Sequence, residues 1–322
     1  MAIGDDRHRP AFAGDDAEGE TATAIEDLPG DVLALVLRRL DGASLAALGC
    51  ASAAFRDLAA DPDAWRALCL ALWPSLRDVL PDDHKGHRRL FADAFPFPAP
   101  APAPVPPAQR QRRLPARLVS AVDLHHRGAC IMSRVVETDA SSGWFLGAPF
   151  RVDALVQEGF TAPAPAPLTP ADLSLSWVLI DPASGRAVNA SSRRPVAVER
   201  RWITGETVAR FAVALGGGVA LDAAVTCDER LGHAREVSLC VEDAGGGGVS
   251  GRDGLAVVAA AMDGAREGRG AEAAARLRYE EFVKGREARK ERKARREGIV
   301  DLCCSGVGAA AFLGFLVMLT FR

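Results

Sequence analysis

The chain has 322 residues, 48% of them hydrophobic, and a formal net charge of −3 at pH 7. That length suits two small domains of about 100–200 residues each, and the near-neutral balance argues against a nucleic-acid binder. Seven scattered cysteines without a Cys-x-x-Cys pair exclude a disulfide framework and a zinc module, and fit a reducing compartment.

Residues 1–24 lean acidic, have no apolar core typical of a signal peptide, and read as a disordered N-terminus. Between Ile25 and Trp73 the pattern becomes helical. Val32, Leu33, Val36, Leu37 and Leu40 recur on one face, opposite Asp31, Arg38 and Arg39. Pro29 precedes the first turn, where its missing N–H costs nothing. Asp41-Gly42 stops this helix, with Ser44 the expected N-cap of the next. Leu45 with Leu48, Phe55 with Leu58, and Trp65 with Leu68, Leu72 and Trp73 give the apolar sides of further short helices. Helices this short are marginal alone, and apolar surface that the unit cannot cover itself reads as a docking face.

These residues resemble an F-box. The matching positions are Leu28, Pro29, Asp31, Leu33, Leu37, Leu40, Leu45, Leu48, Cys50, Phe55, Leu58 and Trp65. They supply the Leu-Pro opening, the leucine ladder, the small Cys/Ser step and the closing tryptophan. Ala53-Ala54 departs from the basic or polar pair of many relatives. The resemblance implies that these residues bind a Skp-type adaptor and, through it, a cullin-RING (SCF) ubiquitin ligase. The chain would then be a non-catalytic receptor for a protein substrate that the sequence does not name.

Residues 74–116 read as a helical extension, Pro74–Phe95, followed by a Pro-rich linker that opens with Pro96–Pro107. Alternating Pro-Ala favours polyproline II, and twelve such residues span about 35 Å. From Arg117 the period becomes two. Strands are expected at Leu118–Leu124, Ala129–Glu137, Gly143–Phe145, Phe150–Leu155, Leu173–Ile180, Val196–Trp202, Thr207–Leu215, Gly218–Thr226 and Arg235–Glu242. Asp181–Gly185 is the expected hairpin turn, Pro163–Pro170 a loop, and Leu255–Met262 a helix. The class is α+β: a helical module, then an antiparallel, sandwich-like β-rich domain over 117–262.

This region is similar to one shared by several plant F-box proteins. The likeness lies in Leu118–Asp123, Ser142–Leu146, Leu175–Pro182, Ser191–Val196, Trp202–Glu206 and Glu236–Leu239. It implies a target-binding role without naming a target. Trp144, Trp177 and Trp202 are candidates to stack on a ligand, and Arg193-Arg194 to meet an anionic partner.

Residues 272–298 form a charged helix in which eight basic residues between Lys284 and Arg296 outweigh Glu287, Glu291 and Glu297. Leu302–Phe321 then runs twenty residues without a charge. At 1.5 Å per residue that covers about 30 Å, the thickness of a bilayer core. The expectation is a transmembrane helix over 299–321, a tail anchor that leaves the bulk of the chain in the cytosol. The basic run on the cytosolic side would attract anionic lipid. A nuclear location follows if the tail is not inserted. Gly306, Ala310 and Gly314 share one face and suit helix pairing.

No catalytic residue, metal site or cofactor is expected. His84 and His87 lack further zinc ligands, and His125-His126 point to opposite faces of a strand. Gly216–Gly218 and Gly245–Gly248 lack the lysine of a phosphate loop. Two other readings stay open: a lectin-like module and a membrane scaffold, each without a ligase role.

Overall fold

The structure, a computed structural model, describes residues 25, 28–79, 86–95, 97–100, 114–157, 167–228, 230–245, 247–267 and 271–320, without the side chains of 298–304, 306 and 308–310. The expected disordered N-terminus, most of the Pro-Ala linker, His84 and the first half of the 163–170 loop lie outside these residues. The chain divides into two compact units at Asp61/Pro62. The division therefore falls inside the expected 25–73 module, and not at the Pro-Ala stretch.

The first unit holds three short helices, α1 (Gly30–Leu37), α2 (Gly42–Leu48) and α3 (Ala53–Leu58). The second opens with α4 (Pro62–Leu72), a 3-10 turn at Pro74–Asp78 and α5 (Gly86–Ala94). Then come β1 (Phe97–Pro98), β2 (Arg117–His126), β3 (Ala129–Asp139), the short helix α6 (Gly143–Gly147) and β4 (Arg151–Val156). Next are β5 (Leu173–Asp181), β6 (Arg186–Asn189), β7 (Ala197–Arg201), β8 (Glu206–Gly216), β9 (Val219–Asp228) and β10 (His233–Asp243). The chain ends with α7 (Gly251–Asp263), β11 (Arg266–Glu267) and α8 (Ala271–Thr320).

A four-stranded sheet, β3-β2-β5-β6, and a five-stranded sheet, β4-β10-β9-β8-β7, are antiparallel throughout. Their inward residues form one apolar cluster. Leu118, Val122 and Leu124 of β2, and Leu175, Trp177 and Leu179 of β5, share it with Phe211, Val213, Leu221, Val225, Val237 and Leu239. The period-two pattern places alternate side chains on one face, so this is the sandwich the sequence leads one to expect. Leu255, Val258 and Met262 of α7 join the same cluster. Gly185 has φ 65°, which supplies the left-handed residue of the β5–β6 turn.

One expected strand is a helix. Ser142 accepts a hydrogen bond from the Phe145 N–H at 3.3 Å and caps α6, so Gly143–Phe145 coils instead of extending. Phe145 is buried edge-on to Phe150, with ring centres 5.6 Å apart. The start of α7 lies very close to this corner. A Cβ on Gly254 would sit 2.6 Å from the Phe150 side chain, and one on Gly251 would overlap the Phe145 carbonyl oxygen.

The outer face of each sheet is covered as well. On the four-stranded sheet, Ser75 donates from its N–H to Asp123 Oδ1 at 3.0 Å and from its hydroxyl to Oδ2 at 2.6 Å. Ser133 donates to Oδ1 at 2.6 Å. Burial pushes this carboxyl up, against the pull of those hydrogen bonds. The segment after α4 thus docks on the sheet and is no free continuation. Further along, Arg266 reaches the carbonyls of Asp93 at 2.5 Å, Ala187 at 3.0 Å and Met262 at 2.9 Å, tying α5, β6 and the end of α7 together. Residues Phe97 and Pro98 pair with Glu267 and Arg266, so the chain entering the Pro-Ala stretch is held on the domain.

On the five-stranded sheet the outward residues Ala212, Ala214 and Ala220 are small, and Tyr279 and Phe282 of α8 pack onto them. Arg286 of α8 pairs with Glu242 at 2.7 Å, and Arg210 of β8 pairs with buried Asp222. Burial pushes Asp222 up to about 6, while Arg210 opposes the shift. Helix α8 runs unbroken to Thr320. Among the described residues no helix is long and apolar enough to cross a membrane. The expected span at 299–321 falls partly outside the described side chains.

Two outcomes follow. Gly254→Ala should destabilise the second unit by about 1–3 kcal/mol through overpacking at Phe150, read as a lower Tm with unchanged far-UV circular dichroism. Asp222 binds its proton more tightly folded than unfolded, so its contribution favours folding as pH falls through about 6. Comparing Tm at pH 7 and pH 5, the wild type should gain stability relative to Asp222→Asn. A pH-independent difference between the two would refute the assignment.

Candidate functional site

The first unit is organised by its caps. Pro29 precedes α1 and Asp31 sits in its first turn, where the helix dipole favours an anion. Asp41, and not Ser44, caps α2: its carboxylate accepts from the Ser44 N–H at 2.7 Å. Ser52 caps α3 by accepting from the Phe55 N–H at 3.3 Å. Gly49 leaves room for Ala59, whose Cβ would lie 3.2 Å from any Cβ at that position. The Arg38–Asp61 pair at 3.9 Å is half-exposed and contributes little.

The twelve motif residues differ in exposure. Leu33, Leu37, Leu45 and Phe55 are buried, while Leu40, Leu48 and Leu58 are half-buried. Leu28, Pro29, Asp31 and Cys50 are exposed. Trp65, in the second unit, is buried 5.3 Å from Phe91 with the Arg88 guanidinium 5.8 Å from its ring. Leu33 and Leu37 are therefore internal packing residues.

What α1 leaves in water is a different stripe. Leu28, Val32, Leu35 and Val36 are all exposed, Leu35 by 64% and Val36 by 45%. Val32, Leu35 and Val36, three and four residues apart, lie on one side of α1, and Leu28 stands exposed just ahead of the helix. The sequence reading missed Leu35 altogether. Apolar periodicity identifies a helix, but with apolar residues on both sides it does not say which side turns inward.

The residues proposed for target binding do not converge. Trp177 is fully buried in the sandwich core, because the alternation of β5 turns it inward; it is excluded from contact with a target. Trp144, 82% exposed, lies on α6, which leads into β4 at Arg151 opposite Cys240. Trp202, 84% exposed, lies with exposed Ile203 in the β7–β8 turn beside Glu206, which pairs with Asp228. Since His233 also pairs with Asp228, the two tryptophans mark opposite ends of the five-stranded sheet. Arg193 adopts φ 61° and lies 3.7 Å from Glu272, while Arg194 is exposed with its carbonyl accepting from Ser192 Oγ at 2.6 Å.

A cleft of about 580 Å³ opens at the Trp202 end, lined by Ile131, Met132 and Arg134 of β3, Leu155 and Val156 of β4, and His233 of β10. Burial pushes the thiols of Cys69 to about 12 and Cys227 to about 11, which leaves both protonated and unreactive at neutral pH. Among the described residues no group of three His, Cys, Asp or Glu side chains is placed to hold a metal ion.

Comparison with known proteins completes the picture. A family model described as F-box-like matches residues 25–71, spanning α1 to α4. The chain is 38% identical to probable F-box protein At2g36090 of Arabidopsis thaliana over 89% of each chain. It is 34% identical to F-box protein At2g27310 of the same plant, over 90% of this chain and 94% of that one. F-box protein At3g44326, also from Arabidopsis thaliana, is 34% identical over 91% of this chain and 89% of its own length. No solved structure matches. The leucine ladder, its helices and the end-to-end similarity to these relatives agree: the chain belongs to the F-box protein family.

Proposed function

We propose that this chain is the target-binding subunit of an SCF-type ubiquitin ligase, with the first unit docking on a Skp-type adaptor and the β-sandwich holding the target. The observation that carries this reading is the exposed apolar stripe of α1, Val32, Leu35 and Val36, with exposed Leu28 just ahead of it. A family motif whose apolar residues stand in water has that surface available for a partner. Such a subunit needs no catalytic group. Tethering a target beside the ligase raises the effective concentration of its lysines at the ubiquitin-charged enzyme.

The adaptor is tested with two kinds of variant. Leu35→Asp and Val36→Asp should lower co-purification of adaptor and cullin by about tenfold or more, a loss of about 1.4 kcal/mol, with Tm unchanged because both positions are exposed. Leu33→Asp and Leu37→Asp should lower Tm instead, because they bury a charge. Full adaptor capture by the Leu35 and Val36 variants would refute the docking face.

The proposal extends to a tail anchor. Its support is the uncharged run Leu302–Phe321 directly after a basic segment. In cells, the intact chain should remain in the membrane pellet after alkaline carbonate extraction, and a chain ending at residue 298 should be released. Release of both would remove the anchor and leave the adaptor reading untouched.

A further inference from the structure

The cleft at the Trp202 end lies where the two sheets part. β3 ends the four-stranded sheet and β4 ends the five-stranded one; among the described residues neither has a strand on its other side. The two edges are bridged where Arg134 donates from Nη1 to the Ala154 carbonyl at 3.3 Å.

β3 is unusual for its length. It has eleven residues and not one of them is buried, whereas its neighbour β2 is buried at seven consecutive positions. A long, exposed edge presents free backbone donors and acceptors, and proteins normally blunt such edges or use them. Apolar side chains remain exposed along both edges of the cleft. Ile131 is 44% exposed and Val156, across the gap, is 55% exposed. No proline interrupts β3; its one bulge is at Ile131, between Met132 opposite Leu124 and Cys130 opposite His125, and from Met132 to Asp139 the pairing with β2 is regular.

The charge in the cleft is one-sided. Arg134 has no carboxylate partner among the described residues, and the carboxylates nearest in sequence on the facing edge are already engaged. Arg151 holds Asp153 at 2.8 Å and Glu236 at 2.8 Å. With Nη1 on a carbonyl, the Arg134 guanidinium keeps further donors in a cleft whose lining also includes Ile131, Leu155 and Val156, and such a fork suits a carboxylate.

We infer that this cleft binds an extended polypeptide segment of a partner, added as a strand along β3, whose apolar side chains enter beside Ile131 and Val156 and whose Asp or Glu side chain pairs with Arg134. Backbone pairing supplies affinity, and the alternate side chains supply selectivity. This rests on the sandwich being the part that holds the target, and it identifies the feature of a target that would be read.

The test uses the full chain and fluorescein-labelled synthetic peptides of about nine residues, long enough to run along an edge strand. The peptides alternate Val and Thr around a central Asp, Asn, Lys or phosphoserine, and binding is read by fluorescence anisotropy. The Asp peptide should bind about tenfold more tightly than the Asn and Lys peptides. Arg134→Glu should abolish that preference and turn it toward Lys, and Ile131→Thr should weaken every peptide while leaving Tm unchanged. Methylating alternate backbone nitrogens of the Asp peptide should remove binding on one registry of the strand only. Equal binding of the Asp, Asn and Lys peptides, or an Asp preference that survives Arg134→Glu, would overturn the inference. So would a requirement for phosphoserine, or insensitivity to backbone methylation on both registries. Because neither adaptor nor ubiquitin enters this measurement, it fails or succeeds independently of adaptor capture by the Val36 variant.

Discussion

The second unit depends on apolar burial on both the inner and the outer faces of its central strands. A sandwich with hydrated outer faces needs only its inner cluster, but here Val178 and Ile180 of β5 and Ala212, Ala214 and Ala220 of β8 and β9 are buried on the outward side too. Those faces require cover. On one side the 3-10 turn after α4 provides it, pinned by the hydrogen bonds between Ser75 and Asp123. On the other the start of α8 provides it, with Tyr279 and Phe282 lying over alanines that let a helix approach closely. The result is a layered body in which segments from both ends of the unit's sequence are structural parts of the sheet domain.

The same constraint explains where surface remains for partners. Covered faces leave the ends and edges, and the exposed aromatic and branched residues are found there: Trp144 on α6, Trp202 with Ile203 in the β7–β8 turn, and Ile131 and Val156 on the terminal strands. In the first unit the equivalent surface is the outer side of α1. The polar groups buried inside are held within the domain: Asp123 by Ser133 of β3 and by Ser75 of the covering turn, and Asp222 by Arg210 of the neighbouring strand β8.

Much of this was legible in the sequence where the signal was local. Most of the long strands followed from alternation, the β5–β6 turn from Gly185, and the family from the resemblance carried by the motif residues between Leu28 and Trp65. What failed was whatever needed knowledge of a distant neighbour. Gly143–Phe145 has aromatic, strand-like composition, but the Ser142 cap and the burial of Phe145 against Phe150 make it a helix. Trp144, Trp177 and Trp202 look alike as letters, yet one is core and two stand in water, because only the sheet register distinguishes them. The 272–298 segment reads only as a charged helix, since Tyr279 and Phe282 gain meaning only beside the alanines of β8 and β9. Leu33 and Leu37 were chosen over Leu35 for the same reason: a helix with two greasy sides does not announce which one turns inward.

One consequence of α8 concerns leverage. The helix is bolted to the sheet by Tyr279, Phe282 and Arg286, with Arg289 lying by Gly218 at the sheet's end. It then continues without a break to Thr320. Those last thirty or so residues make a rod of about 45 Å. A stiff rod with one end clamped has no swivel. Whatever grips its far end sets the tilt and heading of the sandwich at the same time, and so decides which way the open end of the sheets faces.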